Sequence, residues 1–216
     1  KEAKARNDLV ATNQPDAFIR RMVGEIKYKN FDNDPSSISI SDRVIIGNTN
    51  PDYIFGFTNN FRFKQFDLSV FINGVQGNDI VNMNTRFNSN IGTGKNVSQE
   101  MLDGAWDETK DNSNATSPKV IRQFWRTMLF SRRFIEDGSF VRIKNLTLGY
   151  NLPNNLVKGM SLMFTSLGLH HSYIITNYSG YDPEMNSYGD NPALYGVDLG
   201  GYPNSRTYNI TLRCGF

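Results

Sequence analysis

Along much of the chain apolar and polar residues alternate one by one, the period of an extended strand whose two faces meet different surroundings. Tyr53, Phe55, Phe57, Phe61 and Phe63 fall on one face and Gly56, Thr58, Asn60, Arg62 and Lys64 on the other. After a tight turn near Gln65, Phe66, Leu68, Val70 and Ile72 alternate with Asp67, Ser69 and Asn73, so the two runs predict a hairpin. A third strand is predicted over Phe140–Leu152, with Leu146, Leu148, Tyr150 and Leu152 in phase and Val141 and Ile143 out of it. Pro153 and Asn154 punctuate a short turn, and Met160–Leu169 predicts a fourth strand with Met160, Leu162 and Phe164 on its apolar face. The fifth, Tyr208–Phe216, sets Tyr208, Ile210, Leu212, Cys214 and Phe216 against Asn209, Thr211, Arg213 and Gly215 without an error.

The connections alternate as strictly as the residues do. Those near Gln65 and over Pro153–Gly159 are short, whereas those over residues 77–139 and 173–205 are long. A soluble sandwich has no reason to alternate in this way, but a bacterial outer-membrane barrel does, because its periplasmic turns are short and its extracellular loops long. In that setting the phase change at Val141 and Ile143 calls for a bulge, or for an upper half of the strand that projects above the membrane. A last strand that descends to a periplasmic C-terminus puts both long loops and residues 1–52 outside. An alternating terminal strand marked by Tyr208, Ile210, Leu212 and Phe216 is similar to the signal read by the barrel-assembly machinery. Five strands cannot close a membrane barrel, for which about eight is the working minimum. Open edges in lipid would leave backbone N–H and C=O groups unpaired, so the remaining strands are expected from a missing N-terminal portion or another polypeptide.

Composition removes other classes. With 12% aromatic residues, 18 Gly and 20% charged residues the chain is too structured in content for disorder. Mean hydropathy of −0.47 does not argue against a barrel, since a barrel strand shows lipid only every second side chain. No stretch approaches the about 18 apolar residues of a membrane helix, and Lys1–Val10 lacks the apolar core of a signal peptide. The net charge of +2 contains no basic block, so no nucleic-acid partner is indicated. The single cysteine, Cys214, excludes an internal disulfide framework and, by parity, faces lipid.

Three stretches resemble one family. They are Ile46–Pro51 (IGNTNP) leading into Phe66–Gly74; Asp137–Pro153 (DGSFVRIKNLTLGYNLP); and Gly180–Glu184 (GYDPE) with Gly196–Thr207 (GVDLGGYPNSRT). The chain resembles the C-terminal barrel of SusC/RagA-type TonB-dependent transporters of Bacteroidetes from about Gly24 to Phe216. The resemblance implies an all-β, transmembrane antiparallel barrel of about 22 strands, of which this chain supplies a C-terminal segment of about five. It also implies an N-terminal plug and TonB box, absent from this sequence, a SusD-like surface lipoprotein, and coupling to the TonB complex. Residues 53–216 are then barrel strands, in contact with lipid and lipopolysaccharide. The chain is expected to be a fragment that by itself neither transports nor binds TonB.

Candidate chemistry is sparse. Asn30–Pro35 (NFDNDP) stands where the family often has a calcium-type loop, but Asn30 replaces the first Asp, Pro35 the glycine, and Asp42 is shorter than the usual Glu. An Asx-rich turn is the better expectation around Asp32 and Asp34. Ser89–Asn96 (SNIGTGKN) fails the phosphate-loop pattern at both ends. There is no GxSxG, HExxH or CxxC, and His170–His171 is expected to be a wetted rim, so no enzyme, metal or cofactor is predicted. The Asn-x-Ser/Thr triplets at Asn96, Asn114, Asn145, Asn177 and Asn209 are chance matches, since two lie within predicted membrane strands.

Trp106, Trp125, Tyr178, Tyr181, Tyr188, Tyr195 and Tyr202 all fall in the long loops, where rings flanked by Asn and Asp suit stacking on sugars. Packing within the loops and contact with the SusD-like lipoprotein, which the resemblance implies is the lid of the barrel, are the alternative roles. The expected function is active import of bulky nutrients, glycans or oligopeptides. A passive porin or structural barrel, and a soluble carbohydrate-binding β-sandwich, are the competing possibilities.

Overall fold

The computed structural model describes residues 23–26, 28–31, 40–88, 96–120, 130–152, 161–185, 187, 191 and 194–215. Its strands are β1 (Tyr53–Phe63), β2 (Phe66–Gln76), β3 (Asp79–Asn82), β4 (Ile135–Asp137), β5 (Phe140–Tyr150), β6 (Ser161–Thr176), β7 (Val197–Asp198) and β8 (Thr207–Gly215). Two short helices, α1 (Met83–Asn88) and α2 (Gln99–Asp103), lie between β3 and β4. No described helix is long and apolar enough to cross a membrane.

Five strands form one antiparallel sheet in the order β1-β2-β5-β6-β8. Both short connections therefore lie at one end of the sheet and both long ones at the other. Lys64 and Gln65 make the tightest of them, with Phe63 paired to Phe66 and Lys64 at φ 53. That left-handed value costs a non-glycine residue about 1–2 kcal/mol, which the eleven residue pairs of the hairpin offset.

Pairing partners share a face, so the register tests the alternation across strands as well as along them. Phe57 pairs with Ile72, Phe61 with Leu68 and Phe63 with Phe66. Leu68 pairs in turn with Leu148, Leu148 with Leu167, and Leu167 with Ile210. One face is thus apolar across all five strands, and many of its large side chains are exposed, among them Phe57, Phe63, Leu148, Ile210 and Leu212, whereas Leu68, Ile72 and Leu146 are half-buried. The opposite face carries Asn60, Arg62, Asp67, Ser69, Asn73, Thr147 and Asn209.

The phase change in β5 is a bulge. Phe71 pairs with Asn145 and Ile72 with Ile143, which leaves Lys144 as the extra residue. It returns Val141 and Ile143 to the apolar face and leaves Arg142 on the polar one. A second irregularity corrects the reading of β6: the register shifts between Leu162 and Phe164, so Leu162 pairs with Cys214 but Phe164 with Arg213. The simple Met160, Leu162, Phe164 alternation does not run through this point, and Met160 lies outside the described residues. β6 also continues to Thr176, so the loop expected from residue 173 begins four residues later.

The long connections are not structureless. β3 pairs antiparallel with β4 and parallel with β7, a small sheet contributed by both. The chain forms two compact units. The first (Lys1–Ile46 and Asn84–Phe134) buries Met101 and Phe134. Ser98 caps α2 by accepting from Met101 N at 3.3 Å. The second (Gly47–Met83 and Ile135–Phe216) holds both sheets and buries Ile80, Phe140 and Tyr178.

Candidate functional site

The polar end of β5 organises the second unit. Arg142 sits on the polar face with its side chain only 4% exposed, and an isolated guanidinium there would be strongly destabilising. The segment after β6 folds back to supply its partners. Arg142 Nη2 donates to Asp182 Oδ1 at 2.5 Å, and Asp182 is itself buried. Arg142 Nε lies 3.1 Å from Glu184 Oε2, a charge contact. The bulge residue Lys144 reaches the other oxygen of Glu184 at 3.3 Å, where Asn73 Nδ2 also donates. Two cations thus meet two carboxylates, so the cluster is neutral as a whole. The Arg142 guanidinium also lies 5.7 Å from the centre of the Phe140 ring.

Asp182 does more than neutralise Arg142. Its Oδ1 accepts from the Glu184 backbone N–H at 2.9 Å, closing an Asx turn around Pro183. Its Oδ2 accepts from Asn204 Nδ2 at 3.1 Å, which ties in the limb that descends to β8. The Gly180–Glu184 motif is therefore a clamp between wall and loop.

A second network stabilises the small sheet. Tyr178 donates its hydroxyl to Asp198 at 2.6 Å, and both are buried. Burial first, and the adjacent carboxylate second, hold the Tyr178 phenol far above its ordinary range. Asp198 also accepts from Gly200 N at 2.7 Å. Glu136 accepts from Asn82 Nδ2, from Ser179 N and from Ser179 Oγ, so β3, β4 and the segment after β6 share one carboxylate.

The aromatic side chains chosen from sequence fall into different settings. Trp106, in the first unit, lies so close to Gly24 that a Cβ there would collide with its ring, and Gly24 O accepts from Lys119 N at 2.8 Å. The Trp106 ring thus packs against the Gly24 backbone. Tyr178 is buried and hydrogen-bonded, hence a supporting residue rather than a surface for stacking. Tyr181 and Tyr195 are exposed, Tyr181 at 73% and Tyr195 at 49%. Trp125, Tyr188 and Phe216 lie outside the described residues. Tyr208, Ile210 and Leu212 stand exposed on the apolar face of β8. Asp32, Asp34 and Pro35 also lie outside the described residues, while Asp42 accepts from Phe31 N, eleven positions earlier, at 2.6 Å. Among the described residues no three His, Cys, Asp or Glu side chains gather closely enough to hold a metal ion. Sequence reasoning did not single out Arg142, Lys144, Asp182 and Glu184. The signal was present as two cations two positions apart in a strand that carries no other charge.

No family model matches the chain. It is 35% identical over 185 residues to TonB-dependent receptor P3 of Formosa agariphila, covering 83% of this chain and 18% of that receptor. It is 23% identical over 188 residues to TonB-dependent receptor SusC of Bacteroides thetaiotaomicron, covering 85% of this chain and 17% of SusC. Among solved structures it superposes on the RagAB peptide transporter with a TM-score of 0.59 at 29% identity, over 74% of this chain and 16% of that one. The RagAB peptide importer in its 'open-open' state gives a TM-score of 0.60 at 28% identity, over 80% of this chain and 18% of that one. The two-faced sheet is a segment of the wall of an outer-membrane β-barrel. The chain belongs to the SusC/RagA-type TonB-dependent transporters and represents a C-terminal portion of their barrel. It spans about a fifth of the length of the curated relatives it matches.

Proposed function

We propose that this chain supplies part of the wall and mouth of a TonB-dependent importer that carries bulky nutrients, glycans or oligopeptides, across the outer membrane with a SusD-like lipoprotein. The observation that carries this is the pairing of an apolar sheet face with a polar one over which a family-specific loop is clamped, in a chain similar to RagAB over 80% of its length. The apolar face meets lipid and lipopolysaccharide, and the polar face lines the lumen that the plug occupies. Both long connections, residues 77–139 and 173–205, and residues 1–52 lie outside the cell. The short turns and the C-terminus lie in the periplasm. Tyr181 and Tyr195 offer rings at the mouth to ligand or lid. Ligand binding shifts the population of lid and plug states, and energy arrives through TonB acting on the plug.

The test is uptake by the full-length transporter in cells with and without TonB. The probes are a fluorescently labelled tryptic digest of casein and a labelled partial hydrolysate of starch. Uptake of one of them that disappears without TonB is the expected result. Uptake that persists unchanged without TonB would assign a passive pore instead.

A further inference from the structure

We infer that Arg142, assisted by Lys144, is a positioning residue: an ionic latch on the barrel wall that fixes the segment 177–185 and so sets how Tyr181 is presented at the mouth. The last step rests on the importer function proposed above; the latch itself rests on geometry.

Three contacts converge on Asp182. It takes Arg142 from the wall, the Glu184 N–H from its own turn, and Asn204 from the returning limb. Freeing Asp182 from Arg142 would therefore loosen both limbs of the loop together. Glu184 repeats the attachment two residues on, held by Arg142, Lys144 and Asn73. The bulge makes this possible, because the extra residue Lys144 lets a second cation approach the loop while Val141 and Ile143 stay on the apolar face. With the carboxylate of Asp182 turned to the wall, its neighbour Tyr181 is left facing away, and it is exposed where Asp182 is buried.

The chemistry of the fastening matters as much as its place. An apolar contact of the same size would hold the loop at least as firmly, since desolvation offsets most of the Coulomb gain of a buried ion pair. It would also resist release, because opening would expose apolar surface to water. Four charges that cancel when docked and hydrate when undocked have two states of comparable free energy, the property a loop needs if it is to yield when a ligand or lid arrives. Arginine suits the central role, since its rigid fork meets Asp182 through Nη2 and Glu184 through Nε, two fixed points where a lysine has a single nitrogen.

The test uses the full-length transporter in the outer membrane of intact cells. Chymotrypsin is added outside and the rate of cleavage after Tyr181 is followed by mass spectrometry, with heat-modifiable migration reporting the folded barrel. Arg142→Met and Asp182→Asn should each speed that cleavage about tenfold or more while the folded band persists, as expected when one partner of a buried pair is removed. If Arg142→Met does not assemble, Asp182→Asn decides, because it alters the loop and not the wall. Unchanged cleavage in every variant that assembles would overturn the latch. The two variants should also raise the half-saturating concentration for uptake of the labelled probe without lowering the number of folded barrels. Faster cleavage with unchanged half-saturation would keep the latch and remove Tyr181 from the transport function.

Discussion

The phenol of Tyr178 is turned inward, and its bond to Asp198 ties the segment after β6 to β7. Ionising it would place two negative charges within 2.6 Å in a buried site, so its folded pKa stands above the unfolded value of about 10. A group raised in this way contributes stability that is fully present below the unfolded pKa and lost as pH rises above it. Comparing absorbance at 295 nm of the full-length barrel and its Tyr178→Phe variant should therefore show one phenol, that of Tyr178, withheld until the protein unfolds in alkali. A difference of one phenolate between the two while the structure is intact would contradict this. Tyr178→Phe should destabilise the folded protein by about 1–3 kcal/mol, because Asp198 keeps its burial and loses a donor. The role was not legible in sequence: Tyr178 looked like its neighbour Tyr181, and only tertiary packing separated a 6% exposed ring from a 73% exposed one.

At the scale of the element, β8 and the bulge in β5 carry the sharpest expectations. Leu212 faces the apolar side and Thr211 the polar side of the same strand. In the full-length barrel, Leu212→Arg should cost about 2–4 kcal/mol if it lies near the bilayer midplane, with Thr211→Arg costing much less. Unfolding of the two variants from lipid vesicles measures the difference, and equal tolerance would mean that β8 does not show lipid on its alternation. Deleting Lys144 should be more severe. Without the extra residue the upper half of β5 changes faces, which would turn Arg142 to lipid and Val141 and Ile143 to the lumen. Loss of the heat-modifiable band is expected, and a normally assembled barrel would show that the bulge can be absorbed elsewhere.

For the whole molecule, orientation is the property to measure. Protease added to intact cells should cut within residues 77–139 and 173–205 and leave residues 153–159 untouched; cleavage near Asn155 would reverse the assignment. Replacing both Tyr181 and Tyr188 by Ala should weaken lid association or uptake and spare assembly. Normal uptake with normal lid binding would reduce the loop to packing. The two long connections are accessible in this scheme, and β3, β4 and β7 join them through one small sheet.

What the sequence determined by itself is whatever depends on local period and spacing. Alternation of side chains has a period of two by the geometry of the backbone, so β1, β2 and β8 could be placed, and their faces assigned, from Phe57, Leu68 and Ile210 alone. The short connections predicted two of the four pairings for the same reason, β1 with β2 and β5 with β6: antiparallel neighbours joined by tight turns need no distant information. Even the bulge left a mark, because one extra residue shifts the phase of everything beyond it. Tertiary structure alone decided which loop residues meet the wall. Nothing local to Gly180–Glu184 says that its carboxylates belong to a strand forty residues earlier, and Arg142 in isolation is only a polar residue on the polar face. The pairing arises because β6 rises beside β5 to Thr176 and so delivers the loop to that spot. A buried charge has no fixed meaning until its partner is in place.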